Sequence, residues 1–577
     1  MRSRIPAVAV ALIALASHAS AQVVEENVAP VPLGEQRDSL DAPADTAPDL
    51  STEPLGVNLR GIYVAPGADG STRDVSGVDA SAVKTDSAGL EGDLARYVGM
   101  PLSQALIGEI RTAIVAHYRE NSLPLVSVTV PPQEVTGGVL QLAVTVFTLG
   151  EINADGNERT SDEHILGTVR LEPGDIVDSG ILLADLNWLN QNPYRNVAAV
   201  FEPGRKAGET DLTLRSREVK PWQVYAGYQN SGVESTDRDR VFAGFNTAGI
   251  PFTDHLLSYQ LTASPDFWWD GGPFGDAGHG QYESHSLSYF VPLPWRHKLT
   301  LQASYIDSNA ALATPFTQES ESVQAYVDYA VPVSTQGDLR YDAYGLVEWK
   351  QQNTNVEFAG IPVRKTTLGV AQFGGGVRGS ARDVWGVTGF DLRAVVSPGG
   401  VVGHNDDSDF VASTGNPDAD ATYAYLFGSV QRSTPIDVID SALDTTLRFQ
   451  VGSDDLAGIE QFSAGGANTV RGYEALEVSG SQGLVFSNEL RLPPLSPLED
   501  ASAGVTDDLT PFAFIDTAFV NDDFSRTDEV LLGTGIGADY SIDRFFSVSA
   551  SLGVAVLETR ATDAGDMRGH VTAIVRY

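Results

Sequence analysis

Leu299-Thr300-Leu301-Gln302-Ala303-Ser304-Tyr305 alternates apolar and polar side chains without interruption. A period of two sends successive side chains to opposite faces of a β-strand, so this stretch predicts a strand with one greasy and one wet face. The same rhythm returns in Val323, Ala325, Val327, Tyr329 and Val331, set against Gln324 and Asp328. It returns in Leu339, Tyr341, Ala343, Val347 and Trp349 against Arg340, Asp342, Glu348 and Lys350. Leu447, Phe449 and Val451 alternate with Arg448 and Gln450, and Phe546, Val548, Ala550, Leu552 and Val554 with Ser547, Ser549 and Ser551. The pattern begins after Pro221 and runs to Val571-Thr572-Ala573-Ile574-Val575-Arg576-Tyr577, a last strand closed by an aromatic residue.

A soluble β-sandwich alternates in the same way. Tyrosine and tryptophan on the apolar face, repeated over residues 220–577 of an exported chain, instead suit lipid outside and water inside. Backbone groups in hydrocarbon must all be paired, so such a sheet has to close on itself. At about ten residues per strand plus turns, this length accommodates roughly 16 antiparallel strands.

Export is read from the first 21 residues. Arg2 and Arg4 precede the apolar run Ile5 to Ala16, which is too short to span a bilayer. Ala19-Ser20-Ala21 then offers small-residue cleavage between Ala21 and Gln22, as in a secretory signal. No later stretch is long and apolar enough for a transmembrane helix.

Between signal and barrel the chain changes character twice. Residues 22–55 carry eight acidic residues and five prolines against Arg37 alone, too little apolar surface to offset ordering entropy, and read as a flexible leader. Residues 56–147 then read β-α-α-β-β. Val57 to Val64 is a strand and Leu90 to Val98 a short helix. Leu102, Leu106, Ile110 and Ile114 share one face of a second helix ending at His117 and Tyr118. Val126, Val128 and Val130 form a half-buried strand stopped by Pro131-Pro132, and Val139 to Phe147 is the last. Residues 148–219 repeat the order, not the sequence: Leu149 to Ala154, a helix over Ser161 to Leu171 with Ser161 as N-cap, Ile181 to Asn190, Val197 to Phe201 and Thr210 to Arg215.

Composition narrows the chemistry. With 37 Lys and Arg against 76 Asp and Glu, the net charge of −39 repels phosphate backbones, so nucleic acid is not an expected partner. The absence of cysteine removes disulfides, thiolate metal sites and cysteine nucleophiles. Ser479-Gly480-Ser481-Gln482-Gly483 lacks the first glycine of a nucleophile elbow and lies between strands. Asp276, His279, Glu283 and His285, and separately Asp406, Asp407 and Asp409, read as solvated loops rather than cation sites. The reading is a protein that is not an enzyme and needs no cofactor or metal.

The most specific residues lie late in the chain. Gln461-Phe462-Ser463-Ala464-Gly465-Gly466 leads into Val470-Arg471-Gly472-Tyr473. Gly483 to Pro493, GLVFSNELRLP, places Glu489 and Arg491 on a polar strand face, and Phe512-Ala513-Phe514-Ile515-Asp516 follows. The set resembles the two-partner secretion transporters of the haemolysin secretion/activation family, within the superfamily of POTRA-bearing outer-membrane barrels. The resemblance implies that V-R-G-Y tips a loop folded back into the barrel. It also implies that Arg471 reaches Asp516 of an F-x-D strand, with Phe514, Glu489 and Arg491 on the adjoining wall. A planar guanidinium in a lumen needs such a carboxylate.

Pro131, Pro132 and Gln133, with Gly138-Val139-Leu140, look like the family's first POTRA domain. Asn190-Gln191-Asn192-Pro193, Pro203-Gly204 and Gly208-Glu209-Thr210-Asp211-Leu212 look like its second. The resemblance spans residues 56–577. It implies an outer-membrane transporter whose periplasmic POTRA domains capture an unfolded, large β-repeat exoprotein for passage through the barrel. The other readings are a factor that inserts outer-membrane proteins, whose POTRA domains typically number three or five, and a passive porin, which needs none. Many family members begin with a helix that plugs the pore; residues 22–55 are too acidic and proline-rich to be assigned as one.

Overall fold

The computed structural model describes residues 32–34, 40, 50–67, 73–269, 281–312, 316–335, 337–453, 455–498, 504–522 and 527–577. The signal, with Ala21 and Gln22, and most of the acidic leader lie outside them. The chain divides into one unit over Gly34–Val219 and another containing Lys220–Tyr577.

The first unit holds two α+β domains built on one plan. In the first, strand Gly61–Pro66 pairs in parallel with Val139–Val146, which pairs antiparallel with Val126–Thr129. Helices Ser87–Ala95 and Gln104–Glu120 bridge the first and second of these in sequence. Leu106, Ile110 and Ile114 share the buried face of the longer helix and pack with Leu90, Leu140 and Leu142. In the second domain Thr148–Asp155 pairs in parallel with Glu209–Glu218, which pairs antiparallel with Arg195–Pro203, and helices Asp162–Thr168 and Ser179–Leu189 intervene. Ser161 caps the first of these helices, its hydroxyl accepting the His164 N–H at 3.2 Å.

Two differences from the sequence reading have local causes. The first domain has an extra edge strand, Gly77–Asp79, beside Gly61–Pro66; three residues are too few to display a period. Val130 falls outside its strand and is exposed, because Pro131 supplies no N–H to carry the pairing on.

Among the described residues, sixteen strands close into an antiparallel barrel, from Trp222–Gln229 to Met567–Arg576, which pair with each other. Closure leaves no unpaired edge. The strand Phe316–Ser334 shows how the wall faces: Ser320, Ser322, Gln324, Tyr326 and Asp328 are buried inward, while Val323, Val327 and Tyr329 are exposed outward. Val327, Val347, Phe373 and Val396 are register partners across four adjacent strands, and all four are exposed, forming an apolar belt. At the end where Trp222 starts the first strand, exposed Phe252, Trp295, Trp385 and Phe545 ring the turns, as in a membrane-interface aromatic girdle.

At the other end, the connection over residues 399–421 packs onto the barrel. Asp406, Asp407 and Asp409, expected in a solvated loop, begin the helix Asp407–Thr414. Asp406 and Asp409 form its capping box, and Asp407 accepts the Ala421 N–H at 3.0 Å. Phe410 of that helix is fully buried against Tyr423. His285 and Glu283 sit on the strand Tyr282–Pro292 rather than in a loop, and His285 Nδ1 lies 2.7 Å from the Tyr259 hydroxyl. Asp276 and His279 fall outside the described residues.

Candidate functional site: an inward-folded loop and its anchor

Residues 453–481 join the strands Ser441–Gly452 and Gln482–Arg491, which pair with each other. A short hairpin, Phe462–Ala464 with Val478–Gly480, begins the excursion. Its tip is the Val470-Arg471-Gly472-Tyr473 turn. Phe462, Ala464, Val470 and Tyr473 are all buried and pack with Val485, Ala518 and Leu531 of the wall.

Arg471 lies against the inner face of two neighbouring strands. On Asp507–Asp522 the period of two turns Phe512, Phe514 and Asp516 inward together. On Gln482–Arg491 it does the same for Ser487, Glu489 and Arg491, with Ser487 opposite Asp516 and Glu489 opposite Phe514. Arg471 Nε donates to Asp516 Oδ2 at 2.8 Å and Nη2 to Oδ1 at 2.9 Å, a two-pronged contact. The Arg471 backbone N–H adds a third bond to Oδ2 at 3.1 Å, and Nη1 reaches Glu489 Oε2 at 2.9 Å. The guanidinium also lies 3.5 Å from the centroid of the Phe514 ring, a cation–π contact. Arg491 extends the network, pairing with Glu489 and Asp539.

Asp516 is completely buried and Arg471 is 9% exposed. Breaking such a pair from one side leaves an uncompensated charge, at a cost of about 3–5 kcal/mol. Planar fork, carboxylate and aromatic face together fix the guanidinium in position and orientation, which a lysine could not match.

The neighbours of Arg471 need both space and conformation. Gly472 has φ +104°, which favours glycine, and a Cβ there would meet Val554 backbone at 2.7 Å. The wall yields in turn: a Cβ on Gly533 would sit 2.0 Å from the Arg471 carbonyl oxygen, and one on Gly553 2.5 Å from the Gly472 nitrogen. Tyr473 is fully buried, and its hydroxyl lies 2.7 Å from the Leu557 carbonyl and 3.0 Å from that of Leu532. It also accepts the N–H groups of Leu532 and Leu557, each at 3.2 Å. Regular pairing of these two strands stops at Gly533 and Ala555, so the phenol completes the backbone bonding where the ladder ends. Beyond the tip, Glu474 pairs with Arg238 at 2.8 Å and with Arg568.

The structure thus brings Arg471, Tyr473, Glu489, Arg491, Phe514 and Asp516 into one region. Gly533, Gly553, Arg238 and Arg568 join them without any sequence signal; a spacing glycine on a strand looks like any other glycine. Pro131, Pro132 and Gln133 form a separate feature in the first α+β domain. After the prolines halt the strand Val126–Thr129, the Gln133 amide bonds the Gln141 N–H and carbonyl, each at 2.7 Å, in place of the missing strand partner. In the second domain the Asn190 amide serves Val197 the same way, at 2.7 and 3.0 Å.

The family model for the haemolysin secretion/activation proteins ShlB/FhaC/HecB matches residues 208–540, and the ShlB-type POTRA domain model matches residues 81–146. The outer membrane transporter CdiB-2 of Burkholderia pseudomallei strain 1026b is 25% identical over 445 residues, 74% of this chain and 71% of that protein. The heme/hemopexin transporter protein HuxB of Haemophilus influenzae is 23% identical over 173 residues, 30% of this chain and 31% of that protein. Among solved structures, CdiB from Escherichia coli aligns with a TM-score of 0.69 at 17% identity, over 94% of both chains, a likeness of fold.

Proposed function

The chain belongs to the haemolysin secretion/activation protein family of two-partner secretion transporters, and on that premise we propose that it captures one unfolded exoprotein in the periplasm and passes it through its own barrel. The family places the barrel in the outer membrane and the POTRA region in the periplasm. In this reading both α+β domains, residues 56–147 and 148–219, are POTRA domains that receive the exoprotein. A sheet edge such as Arg195–Pro203 suits the task, since an extended segment can add to it as a strand. The partner is a large β-repeat protein that folds once it emerges, and no ATP is used in the passage.

The observation that carries the proposal is the buried contact of Arg471 with Asp516 and Glu489. It fixes a long loop in the lumen, on the path that an exoprotein would take in this reading. Arg471, Tyr473 and Asp516 are the residues we assign to holding the loop that shapes the conduit. Arg471→Ala tests this in a secretion assay, with the exoprotein measured in the medium and the barrel measured in the outer membrane. Export is expected to fall sharply at an unchanged barrel level; normal export at that level sinks the assignment. Depletion of the protein should stop export of that partner while other outer-membrane barrels keep their levels. A general fall in barrels would point instead to an insertion factor.

A further inference from the structure

The inward-folded loop has a second end, and it is held by a different ion pair. Glu460 closes the turn Gly458–Glu460, well before the Arg471 tip, and is 1% exposed. It lies 2.9 Å from Nζ of Lys350, which is completely buried and also reaches Glu348 at 3.4 Å. The Tyr425 hydroxyl approaches Glu460 Oε2 at 3.4 Å, and Gln450 Nε2 donates to the Glu460 carbonyl at 2.9 Å. In and just before this turn, Leu456, Ala457 and Ile459 pack with Phe410, Tyr423 and Phe427. The loop is clasped from above as well, since Asn416 Nδ2 donates to Asp455 at 2.9 Å.

The two ends grip different parts of the wall. Lys350 stands on the strand Leu339–Phe358 and Asp516 on Asp507–Asp522, with five strands between them in a ring of sixteen. A loop fastened at both places crosses the lumen. Neither Lys350 nor Glu460 belongs to the V-R-G-Y or F-x-D signatures, and neither is explained by the anchoring of the tip. Each is a full charge sealed from water, which is costly unless something opposite meets it.

We propose that Lys350 and Glu460 are positioning residues for export: they fasten the base of the loop to the wall across from its Arg471 tip, making it a strap that keeps the resting lumen closed. The proposal rests on the reading that this loop shapes the conduit, and it deepens that reading. The local charges give it a distinctive signature. Lys350→Met leaves Glu348 and Glu460 facing each other with no cation between them. Glu460→Gln leaves Lys350 still paired with Glu348. Removing the lysine should therefore loosen the base more than removing the glutamate, and the double variant should be partly relieved.

The test uses the full-length protein in planar bilayers, together with export at matched barrel levels. Lys350→Met is expected to raise resting conductance several-fold and to lower export. Glu460→Gln should do so less, the double variant should lie below Lys350→Met, and Lys350→Arg should stay near the parent. Wild-type conductance in Lys350→Met, or a double variant leakier than both singles, overturns the proposal. Should Lys350→Met fail to fold, Glu460→Gln and the double variant decide: parental conductance in both overturns it, and a leak in either supports it. Conductance needs no exoprotein, so the outcome separates from that of Arg471→Ala. Normal export by Arg471→Ala alongside a leaky Lys350→Met would remove the role of the tip and leave the strap standing.

Discussion

In the first α+β domain Val128, Leu140 and Leu142 point into an apolar core, while Val130, just past its strand, is exposed. In the barrel the polar residues Ser322 and Asp328 point inward, and Val323 and Val327 point out. Both regions are built from the same alternating strands, yet the side chains are sorted in opposite senses. Fractional exposure therefore means different things in the two. In the domain it measures contact with water, and on the outer wall of the barrel contact with lipid. The inversion also decides where charge can be kept. In the barrel, full charges such as Arg471, Asp516, Lys350 and Glu460 collect inside, each facing a counter-charge. In the α+β domains the interior is largely aliphatic, with buried Asp185 paired to Arg170 as a charged exception, and the neutral amides of Gln133 and Asn190 bond the sheet edges.

The most direct way to break this comparison is to place one charge on each outer surface. Val347 lies in the apolar belt and is 49% exposed, and Val130 is 40% exposed. If exposure meant the same in both places, arginine would be tolerated equally. On a lipid-facing wall an arginine costs about 2–4 kcal/mol near the bilayer midplane. On a water-exposed surface most substitutions stay within about 0.5 kcal/mol. Val347→Arg should therefore lower the urea midpoint of the barrel refolded in lipid vesicles, followed by heat-modifiable migration on gels, and Val130→Arg should leave it unchanged. Equal effects of the two would refute the membrane reading of the wall.

This contrast also explains how much of the fold is legible in the sequence. Period two is a local property, so the alternating faces, the α+β order and the approximate strand number were open to inspection. The tip of the loop was legible through its V-R-G-Y and F-x-D signatures, which place Arg471 and Asp516 on elements that must meet. The further bond from Arg471 to Glu489 needs only the next strand's polar face. The contribution of Gly533 and Gly553 was hidden, because a missing side chain announces nothing about what approaches it. The Lys350–Glu460 pair was hidden for another reason. Its members are far apart in sequence, and only barrel closure together with the fold of the loop brings them face to face. Gln133 stands out in the sequence as part of a motif, but its use as a substitute strand partner depends on the register of Val126–Thr129 with Val139–Val146.

A smaller effect sharpens the other side of the comparison, the neutral finish of the domain edges. Removing the Gln133 amide leaves the Gln141 N–H and carbonyl without that partner, and Gln141 is itself buried. An unsatisfied buried polar group costs about 1–3 kcal/mol, with partial access to water drawing the figure toward the low end. Gln133→Ala should therefore speed hydrogen exchange at Gln141 and its strand neighbours in the full chain, with the barrel strands unaffected. Gln133→Glu should be no better than alanine, because a carboxylate can accept the N–H but cannot donate to the carbonyl. Unchanged protection at Gln141 in both variants would show that the prolines alone define that edge.

The smallest effect concerns a place in the second of these domains where a carboxylate takes over the work of an amide. Glu218 ends the strand Glu209–Glu218 and accepts the N–H groups of Glu158, Arg159 and Thr160 at 3.0, 2.6 and 3.1 Å. Burial alone would raise its pKa, but bonds from the Thr160 hydroxyl and these three amides outweigh it and hold the carboxyl below its usual range. A carboxyl whose pKa is lower folded than unfolded stabilises the fold above the unfolded value, near 4.5, and that contribution disappears as pH falls through the folded value. Protection of the Glu158, Arg159 and Thr160 amides should then exceed that of Glu218→Gln at neutral pH, and the two should converge in acid. If the gap persisted below the folded pKa, it would come from shape rather than charge. Glu218 would then belong with the neutral amides of Gln133 and Asn190, as an acceptor whose charge contributes nothing.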